Sequence, residues 1–188
     1  MNWILASGSP RRRELLEMLG VPDLTIRPAT GPERATPGAG PEQTVRELSL
    51  HKAQEVAQTC APEDIIIAAD TIVYLDGAIL GKPKDHDDAV RMLTALSGRE
   101  HIVYTGVAVL RGGELRQEQT AVRFRALTPA EIERYIATGE PMDKAGAYGI
   151  QGRGALFVAH LDGDYFNVMG LPLCRLGQLL NELGVELL

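Results

Sequence analysis

Three consecutive arginines stand where a helix is predicted to begin. Ser9 is a favourable N-cap residue and Pro10 suits the first helical position. The residues that follow are Arg11, Arg12 and Arg13. Because a helix N-terminus already carries a partial positive charge, each of these cations costs roughly 0.3–1 kcal/mol there. A phosphate bound by free N–H groups and guanidinium forks would offset that cost, so the segment predicts an anion site. A solvated basic turn tethered by later acidic residues is the alternative.

A single carboxylate, Asp70, interrupts an apolar run. Residues 65–69 are all apolar and are predicted to form a central strand, so Asp70 is expected at the end of a buried strand. A buried carboxylate is unfavourable unless it is paired, hydrogen-bonded or bound to a metal. Its candidate partners are Lys52, Lys82, Lys84 or a divalent cation such as Mg²⁺ or Mn²⁺. An aspartate that bonds only the backbone of the following turn is equally consistent with the pattern.

Motifs of several common enzyme classes are absent from the sequence. There is no G-x-x-x-x-G-K-[ST] phosphate loop, no glycine-rich dinucleotide fingerprint and no G-x-S-x-G nucleophile elbow. The two cysteines, Cys60 and Cys174, and the four histidines show no metal-ligand spacing. The arginine turn and Asp70 therefore remain the strongest local signals of function.

Length and composition are those of a single globular domain. The chain has 188 residues, of which 45% are hydrophobic and 23% charged, and we expect one domain over residues 1–188. A net charge of −6 and dispersed basic residues argue against broad binding to nucleic acid or a membrane surface. No apolar stretch approaches the ~18 residues of a membrane-spanning helix, and the N-terminal apolar run is too short for a signal peptide. We therefore expect a cytoplasmic protein.

Predicted strands and helices alternate along the chain. Apolar runs and turn signals predict strands at 4–6, 65–74, 78–80, 102–110 and 114–126. Helical periodicity and capping signals predict helices at 10–19, 41–59, 87–96, 129–138 and 171–183. Asp76-Gly77 and Gly112-Gly113 are hairpin turn signals. The mixture of hairpins and crossover helices predicts an α/β fold with a mixed sheet.

Six sequence blocks together resemble one protein family. They are LASGSPRR at 5–12, ADTIV at 69–73, GKP at 81–83, TALSG at 94–98, GEPMDKAGAYGIQG at 139–152 and NVMGLPL at 167–173. Each block is modest alone, but together they cover nearly the whole chain and follow the order of the Maf family of nucleoside triphosphate pyrophosphatases. The sequence is therefore similar to that family.

The resemblance implies a fold, a reaction and an assembly. The implied fold is α/β, with a mixed, elongated twisted sheet flanked by helices and two lobes around a deep nucleotide cleft, related in architecture to the inosine triphosphate pyrophosphatases. The implied reaction is hydrolysis of a nucleoside triphosphate to the monophosphate and pyrophosphate with a divalent metal cation, Mg²⁺ or Mn²⁺. The implied assembly is a homodimer.

The resemblance also implies roles for residues of this chain. Asp70 matches the acidic catalytic residue and Arg11 the phosphate-binding arginine. Glu33 and Asp70 are the expected metal ligands, although the acidic residue that usually precedes this glutamate is missing from Gly31-Pro32-Glu33. The residues expected to bind substrate are Ser7, Ser9, Arg11, Arg12, Lys52, Thr71, Lys82 and Gln151.

Residues 145–152 resemble the branch of the family that acts on dTTP and UTP, and differ from the pattern of the branch that acts on 7-methyl-GTP. Arg11, Thr71 and Gln151 fall at positions that the resemblance links to substrate choice. The amide of Gln151 offers a donor and an acceptor, which match the O4 and N3–H edge shared by uracil and thymine. A glutamine that only bonds the backbone of its glycine-rich turn is the alternative.

Two other functions remain as alternatives. One is a 7-methyl-GTP pyrophosphatase. The other is a nucleotide-sensing binding protein that acts on cell division, since the family is also associated with arrest of septum formation. Asp70 favours an enzyme, because a pure triphosphate binder gains nothing from an extra anion unless a metal is present. The residues leave open whether Asp70 is a base toward water, a metal ligand or both.

Overall fold

The computed structural model describes residues 1–111 and 114–187. The strands are β1 (Trp3–Leu5), β2 (Thr25–Ile26), β3 (Ile65–Leu75), β4 (Ala78–Leu80), β5 (Glu100–Leu110), β6 (Glu114–Phe124) and β7 (Val158–Asp162). The helices are α1 (Pro10–Met18), α2 (Pro41–Ala57), α3 (His86–Leu96), α4 (Pro129–Ile136), α5 (Tyr165–Met169) and α6 (Leu173–Glu182). Short 3₁₀ turns cover Glu140–Asp143, Ala145–Ala147 and Gly152–Phe157. None of the helices in the described ranges combines the length and the apolarity that crossing a membrane requires.

The strands form a mixed sheet. Their order is β2-β1-β3-β5-β6-β7, and β4 pairs with β3. β1 runs parallel to β2 and β3, with Leu5 opposite Ile26 and Ile67, whereas β4 and β7 run antiparallel to β3 and β6. Helices alternate with these strands along the chain, so the predicted α/β class with a mixed sheet is confirmed. The nucleotide cleft between two lobes and the single domain over residues 1–188 stay predictions.

The chain divides into two compact units, of which the first comprises Met1–Asp70, Thr105–Glu118 and Gly170–Leu188. One core cluster of this unit consists of Ile4, Ala6, Ala53, Val56, Ile66, Ala68 and Ala108. Helix α2 passes very close to β5, since a Cβ atom on Gly106 would lie 2.2 Å from the carbonyl oxygen of Val45. Only glycine allows this approach.

The second unit comprises Thr71–Tyr104 and Gln119–Met169. Its core includes Val73, Met92, Leu93, Leu96, Val122, Phe124, Ile132, Tyr135, Tyr148 and Phe157. Both long helices of this unit are capped. Asp85 accepts the backbone N–H of Asp88 at 2.8 Å at the start of α3. Thr128 and Glu131 form the predicted capping box at the start of α4.

The sequence prediction missed several short elements. Strands β2 and β7 and helix α5 were not predicted. β7 is exposed or half-buried along its whole length, so it lacks the apolar alternation by which a strand is predicted. Helix α6 begins at Leu173 rather than at residue 171, because Pro172 serves as its N-cap. The predicted turn at Gly112-Gly113 lies outside the described residues.

Replacing Gly106 by alanine is expected to destabilise the first unit. The new Cβ would lie 2.2 Å from the Val45 carbonyl oxygen, so the backbone must shift, at a cost of roughly 1–3 kcal/mol in the free energy of unfolding. Gly177→Ala is the matched control: this glycine lies in α6, and its Cβ position faces open space beyond its own helix backbone and chain neighbours. Alanine there should stabilise the protein by about 0.4–1 kcal/mol. Urea unfolding measures both effects. A Gly106→Ala variant as stable as the wild type would contradict the close approach.

Candidate active site

The turn between β1 and α1 carries the first candidate residues. Ser7 is buried, and its hydroxyl oxygen accepts the backbone N–H of Ser9 at 3.2 Å. Ser9 occupies the predicted N-cap position and Pro10 begins the helix, as predicted. The Ser9 side chain makes no capping hydrogen bond, so the backbone N–H groups of the first turn are not satisfied by it. These N–H groups suit an anion.

The three arginines of α1 have different surroundings. Arg13 is exposed and its Nε donates to Glu17 at 2.6 Å, a surface pair within one helix. Arg12 points inward: its Nε donates to the carbonyl oxygen of Gly170 at 2.7 Å and its Nη1 to the hydroxyl of Ser7 at 3.0 Å. Arg11 is half-buried. The reading as a solvated basic turn therefore fits Arg13 and does not fit Arg12.

Asp70 lies at the end of the part of β3 that belongs to the first unit, and it is 8% exposed. The ammonium of Lys52 on α2 donates a hydrogen bond to Oδ1 of Asp70. The same ammonium lies 2.8 Å from Oε1 of Glu33, an exposed residue of the loop before α2. Lys52 is thus the partner of Asp70, which excludes the alternative in which Asp70 bonds only turn backbone. The carboxylates of Asp70 and Glu33 therefore both contact the ammonium of Lys52.

Charged groups of the first unit also act on one another at longer range. Burial lowers the pKa of the Arg12 guanidinium, and the negative charge of Asp70 acts against this. Arg11 and Glu33 act on the same pKa, lowering and raising it respectively. With Lys52, the site holds cations and carboxylates in one electrostatic neighbourhood.

The donor set can be tested against a divalent metal. Among the residues that the structure describes, no three His, Cys, Asp or Glu side chains converge on a point where a metal ion could bind. Mg²⁺, however, is commonly held in proteins by one or two carboxylates together with substrate phosphates. Glu33 and Asp70, which share Lys52, provide two such carboxylates. The residues present therefore fit a metal that is completed by a phosphate ligand.

The remaining candidate residues belong to the second unit. Thr71 is half-buried and directly follows Asp70. Lys82 is exposed in the turn after β4, and this turn is tied to the 3₁₀ turns because the N–H of Gly146 donates to the carbonyl of Gly81 at 3.0 Å. Gln151 is exposed and precedes the 3₁₀ turn Gly152–Phe157. Its side chain makes no capping hydrogen bond to the N–H groups of that turn. This geometry leaves the amide able to meet a ligand.

Sequence reasoning missed a set of polar side chains around these 3₁₀ turns. Tyr135 and Glu140 bind backbone N–H groups on both sides of Gln151. His101 and Tyr148 are buried, with Nε2 of the imidazole 2.8 Å from the phenol oxygen. Burial lowers the pKa of His101 to about 4, so the imidazole is neutral at pH 7. Tyr135, Glu140 and Tyr148 lie in or near the 139–152 block, which was their sequence signal, whereas His101 had none.

Known proteins match this chain over nearly its whole length. The profile of a family described as Maf-like protein matches residues 2–183. A dTTP/UTP pyrophosphatase of Moorella thermoacetica is 54% identical, with 97% of this chain and 95% of that protein covered. A dTTP/UTP pyrophosphatase of Symbiobacterium thermophilum is 50% identical, with 96% and 93% covered. The solved structure of the Staphylococcus aureus Ham1 protein has a TM-score of 0.49 at 13% identity, and the match covers 82% of this chain and 78% of that chain.

The extent of these matches decides the family. The profile match leaves out only the first residue and the last few. The relatives align over nearly their full lengths as well as that of this chain. The chain belongs to the family of Maf-like proteins.

Proposed function

We propose that this protein hydrolyses dTTP and UTP to the nucleoside monophosphate and pyrophosphate, by attack of water on the α-phosphorus. The observation that carries the proposal is the buried carboxylate of Asp70, held by Lys52 within reach of further positive charge. This carboxylate occurs in a chain half identical to two dTTP/UTP pyrophosphatases. A site that only bound triphosphates would gain nothing from a buried anion unless a metal were present.

The positive groups provide the binding energy for the polyanion. A nucleoside triphosphate carries about four negative charges, and charged hydrogen-bond donors stabilise both it and the departing pyrophosphate. We assign this role to Arg11, Arg12 and Lys52 in the first unit and to Lys82 in the second. Ser7 and Ser9 lie in the turn whose N–H groups suit a phosphate. Arg12 also holds Ser7, so it shapes the turn as well as contributing charge.

Asp70 acts on the attacking water. Lys52 engages Oδ1, so we assign Oδ2 to the acceptance of the proton from the water. The buried position of the carboxylate limits its motion, and the ammonium orients it. Lys52 donates from a long flexible stem and can turn to phosphate oxygens when they enter. Asp70 is thus the catalytic residue, and Lys52 orients it and binds substrate.

Glu33 and Asp70 are the residues that would hold a divalent cation, Mg²⁺ or Mn²⁺, together with phosphate oxygens. Such a cation, when bound, would withdraw charge from the phosphates and lower the pKa of a bound water. The exposed position of Glu33 lets its side chain adjust to a ligand. The homodimer that the family resemblance implies stays a prediction.

Gln151 reads the base. Its amide offers an acceptor to N3–H and a donor to O4, the pattern that uracil and thymine share. Its glycine neighbours allow backbone to approach a ligand closely. Thr71 and Arg11 are the further positions at which we place substrate choice.

Asp70→Asn should lower kcat by ~10²–10⁴-fold while the protein stays folded, because the nearly isosteric amide cannot accept the proton from water. Release of pyrophosphate from dTTP with Mg²⁺ measures this. Asp64→Asn is the matched control: Asp64 is also buried in the first unit, but it accepts the N–H groups of Asn2 and Ala61 at 2.9 and 3.0 Å. The control should lose stability and keep kcat. An Asp70→Asn variant that retains more than about a tenth of kcat would remove Asp70 from the catalytic role.

Single alanine variants of the three arginines should separate binding from structure. Arg11→Ala should raise the KM for dTTP by about tenfold and leave Tm equal or slightly higher, since a cation at a helix N-terminus is unfavourable by roughly 0.3–1 kcal/mol. Arg12→Ala should also lower stability by roughly 1–3 kcal/mol, because Ser7 and Gly170 lose their donor. Arg13→Ala should change neither the KM for dTTP nor the stability. A loss of Tm with unaltered KM in Arg11→Ala would make that arginine structural.

Gln151→Glu tests base recognition. The change removes the amide donor and adds a negative charge near a polyanion, so kcat/KM for dTTP and UTP should fall by roughly 10- to 100-fold, with little change in Tm. Steady-state assays with dTTP, UTP, CTP, GTP and 7-methyl-GTP on both proteins measure it. A wild-type preference for CTP or a purine would refute the assignment of the base while leaving the pyrophosphatase reaction intact.

A further inference from the structure

The backbone around Gln151 (the Gln151 turn, residues 149–154) is bound by two side chains that have no assigned part in the reaction, Tyr135 and Glu140. Tyr135 lies in α4, and Glu140 begins the first of the 3₁₀ turns. Gln151 itself is exposed and does not cap the turn that follows it. The position of its amide therefore depends on how firmly the backbone on either side is held.

Glu140 holds the C-terminal side of the Gln151 turn. The N–H groups of Arg153 and Gly154 donate to its Oε2 and Oε1 at 3.0 and 3.1 Å. The hydroxyl of Tyr135 donates to Oε1 at 2.9 Å. Burial acts to raise the pKa of Glu140, but these hydrogen bonds outweigh it and hold the pKa below its usual value. The carboxylate is therefore ionised at neutral pH, and its charge strengthens each bond.

Tyr135 holds the N-terminal side. Its hydroxyl accepts the N–H of Gly149 at 3.2 Å while donating to Glu140. Its ring is 4% exposed and packs edge-on against Phe157, with ring centroids 4.8 Å apart. Because the ring is buried and belongs to a helix, the hydroxyl has a defined position. Tyr135 and Glu140 thus bind backbone both before and after Gln151.

The turn packs so closely on these two side chains that only glycine fits at two of its positions. A Cβ atom on Gly152 would lie 2.8 Å from Oε2 of Glu140, and φ at this residue is +79°. A Cβ atom on Gly154 would lie 2.7 Å from the Tyr135 hydroxyl and 2.3 Å from the carbonyl oxygen of Gly149. The turn therefore has little room to adopt a second conformation.

We infer that Tyr135 and Glu140 are positioning residues for base recognition: they hold the Gln151 turn in one conformation and thereby set how strictly Gln151 discriminates between pyrimidines. The inference rests on the proposed function, in which Gln151 reads the base. Cytosine presents a donor at position 4 and an acceptor at N3, the reverse of uracil and thymine. If the Gln151 turn could move, the amide could move away from the mismatched groups of cytosine. When the turn is fixed, the amide and those groups stay buried without hydrogen-bond partners, which disfavours cytosine.

Two conservative variants test the inference. Tyr135→Phe keeps the ring and removes the hydroxyl, and Glu140→Gln keeps the length and leaves one accepting oxygen. In each variant, the ratio of kcat/KM for dTTP to that for dCTP should fall by about tenfold. The kcat for dTTP at saturation should stay within about threefold of the wild type. Amide hydrogen exchange at Gly149, Arg153 and Gly154 should become faster.

Thr120→Val is the control for loss of stability alone. Thr120 is buried in the same unit, and its hydroxyl oxygen accepts Asp164 N–H and Asn167 Nδ2 at 3.1 and 2.9 Å, outside the Gln151 turn. This variant should lower Tm and keep the wild-type ratio. If Tyr135→Phe and Glu140→Gln lower Tm and also keep that ratio, the two residues are only structural and the inference is overturned. Glu140→Asp, which keeps the charge but shortens its reach, should shift the ratio in the same direction and serves if Glu140→Gln does not fold.

A double variant shows whether the effect passes through Gln151. Gln151→Ala alone should reduce the ratio of kcat/KM for dTTP to that for dCTP. If this variant keeps the wild-type ratio, Gln151 does not read the base. That result would refute this part of the proposed function, not the positioning role of Tyr135. When Tyr135→Phe is added to Gln151→Ala, the ratio should change by less than about twofold, because no amide is left to position. A further tenfold fall would show that Tyr135 acts by another route and would overturn the inference.

Discussion

The arrangement of the candidate site in the first unit depends on how one buried charge is compensated. This charge is the carboxylate of Asp70 at the end of an apolar strand. Its burial is tolerated because Lys52 supplies a cation from α2. Val45 lies seven residues before Lys52, about two turns earlier on the same face of that helix. There the helix backbone approaches β5 so closely that only Gly106 fits. A side chain at that position would displace the helix that carries Lys52. The proposed catalytic charge therefore depends on a packing contact made by a residue that has no side chain.

Lys52 also explains how two carboxylates can share a site that we propose binds a polyanion. Glu33 and Asp70 would repel each other without the ammonium between them. Phosphate oxygens compete with these carboxylates for Lys52, and an ammonium turned toward phosphate neutralises the carboxylates less. A divalent cation held by the same oxygens would restore the balance of charge, which is a reason for Mg²⁺ or Mn²⁺ that comes from the residues present. The ion pairs of Lys52 and the expected need for a metal thus have one electrostatic cause.

Local sequence signals identified the candidate residues but did not choose their partners. Asp70 was predictable because a single polar residue interrupts an apolar run, whereas its pairing with Lys52 depends on how α2 packs against β5. Adjacent arginines look alike in a sequence, yet helix geometry directs Arg12 to Gly170, 158 residues away, and leaves Arg13 at the surface. The same distinction applies to the fold. Buried strands and capped helices have strong local patterns and were predicted, whereas the short exposed strands β2 and β7 have none.

In the proposed function, phosphate and base pose different problems of recognition. Attraction between charges falls off gradually with distance, so long flexible side chains such as Lys52 and Arg11 can bind phosphates in more than one geometry. Hydrogen bonds to a neutral base depend steeply on distance and angle, so a neutral amide discriminates only when its position is well defined. If Gln151 reads the base as proposed, this difference accounts for the close-packed glycines of the Gln151 turn and for the two side chains that bind it. These are a buried tyrosine, Tyr135, and an ionised glutamate, Glu140, whose carboxylate accepts hydrogen bonds from backbone N–H groups of the turn and from Tyr135. The hydrogen bonds hold this carboxylate on the backbone of the turn, and the positive charge of Lys144 acts against its negative charge.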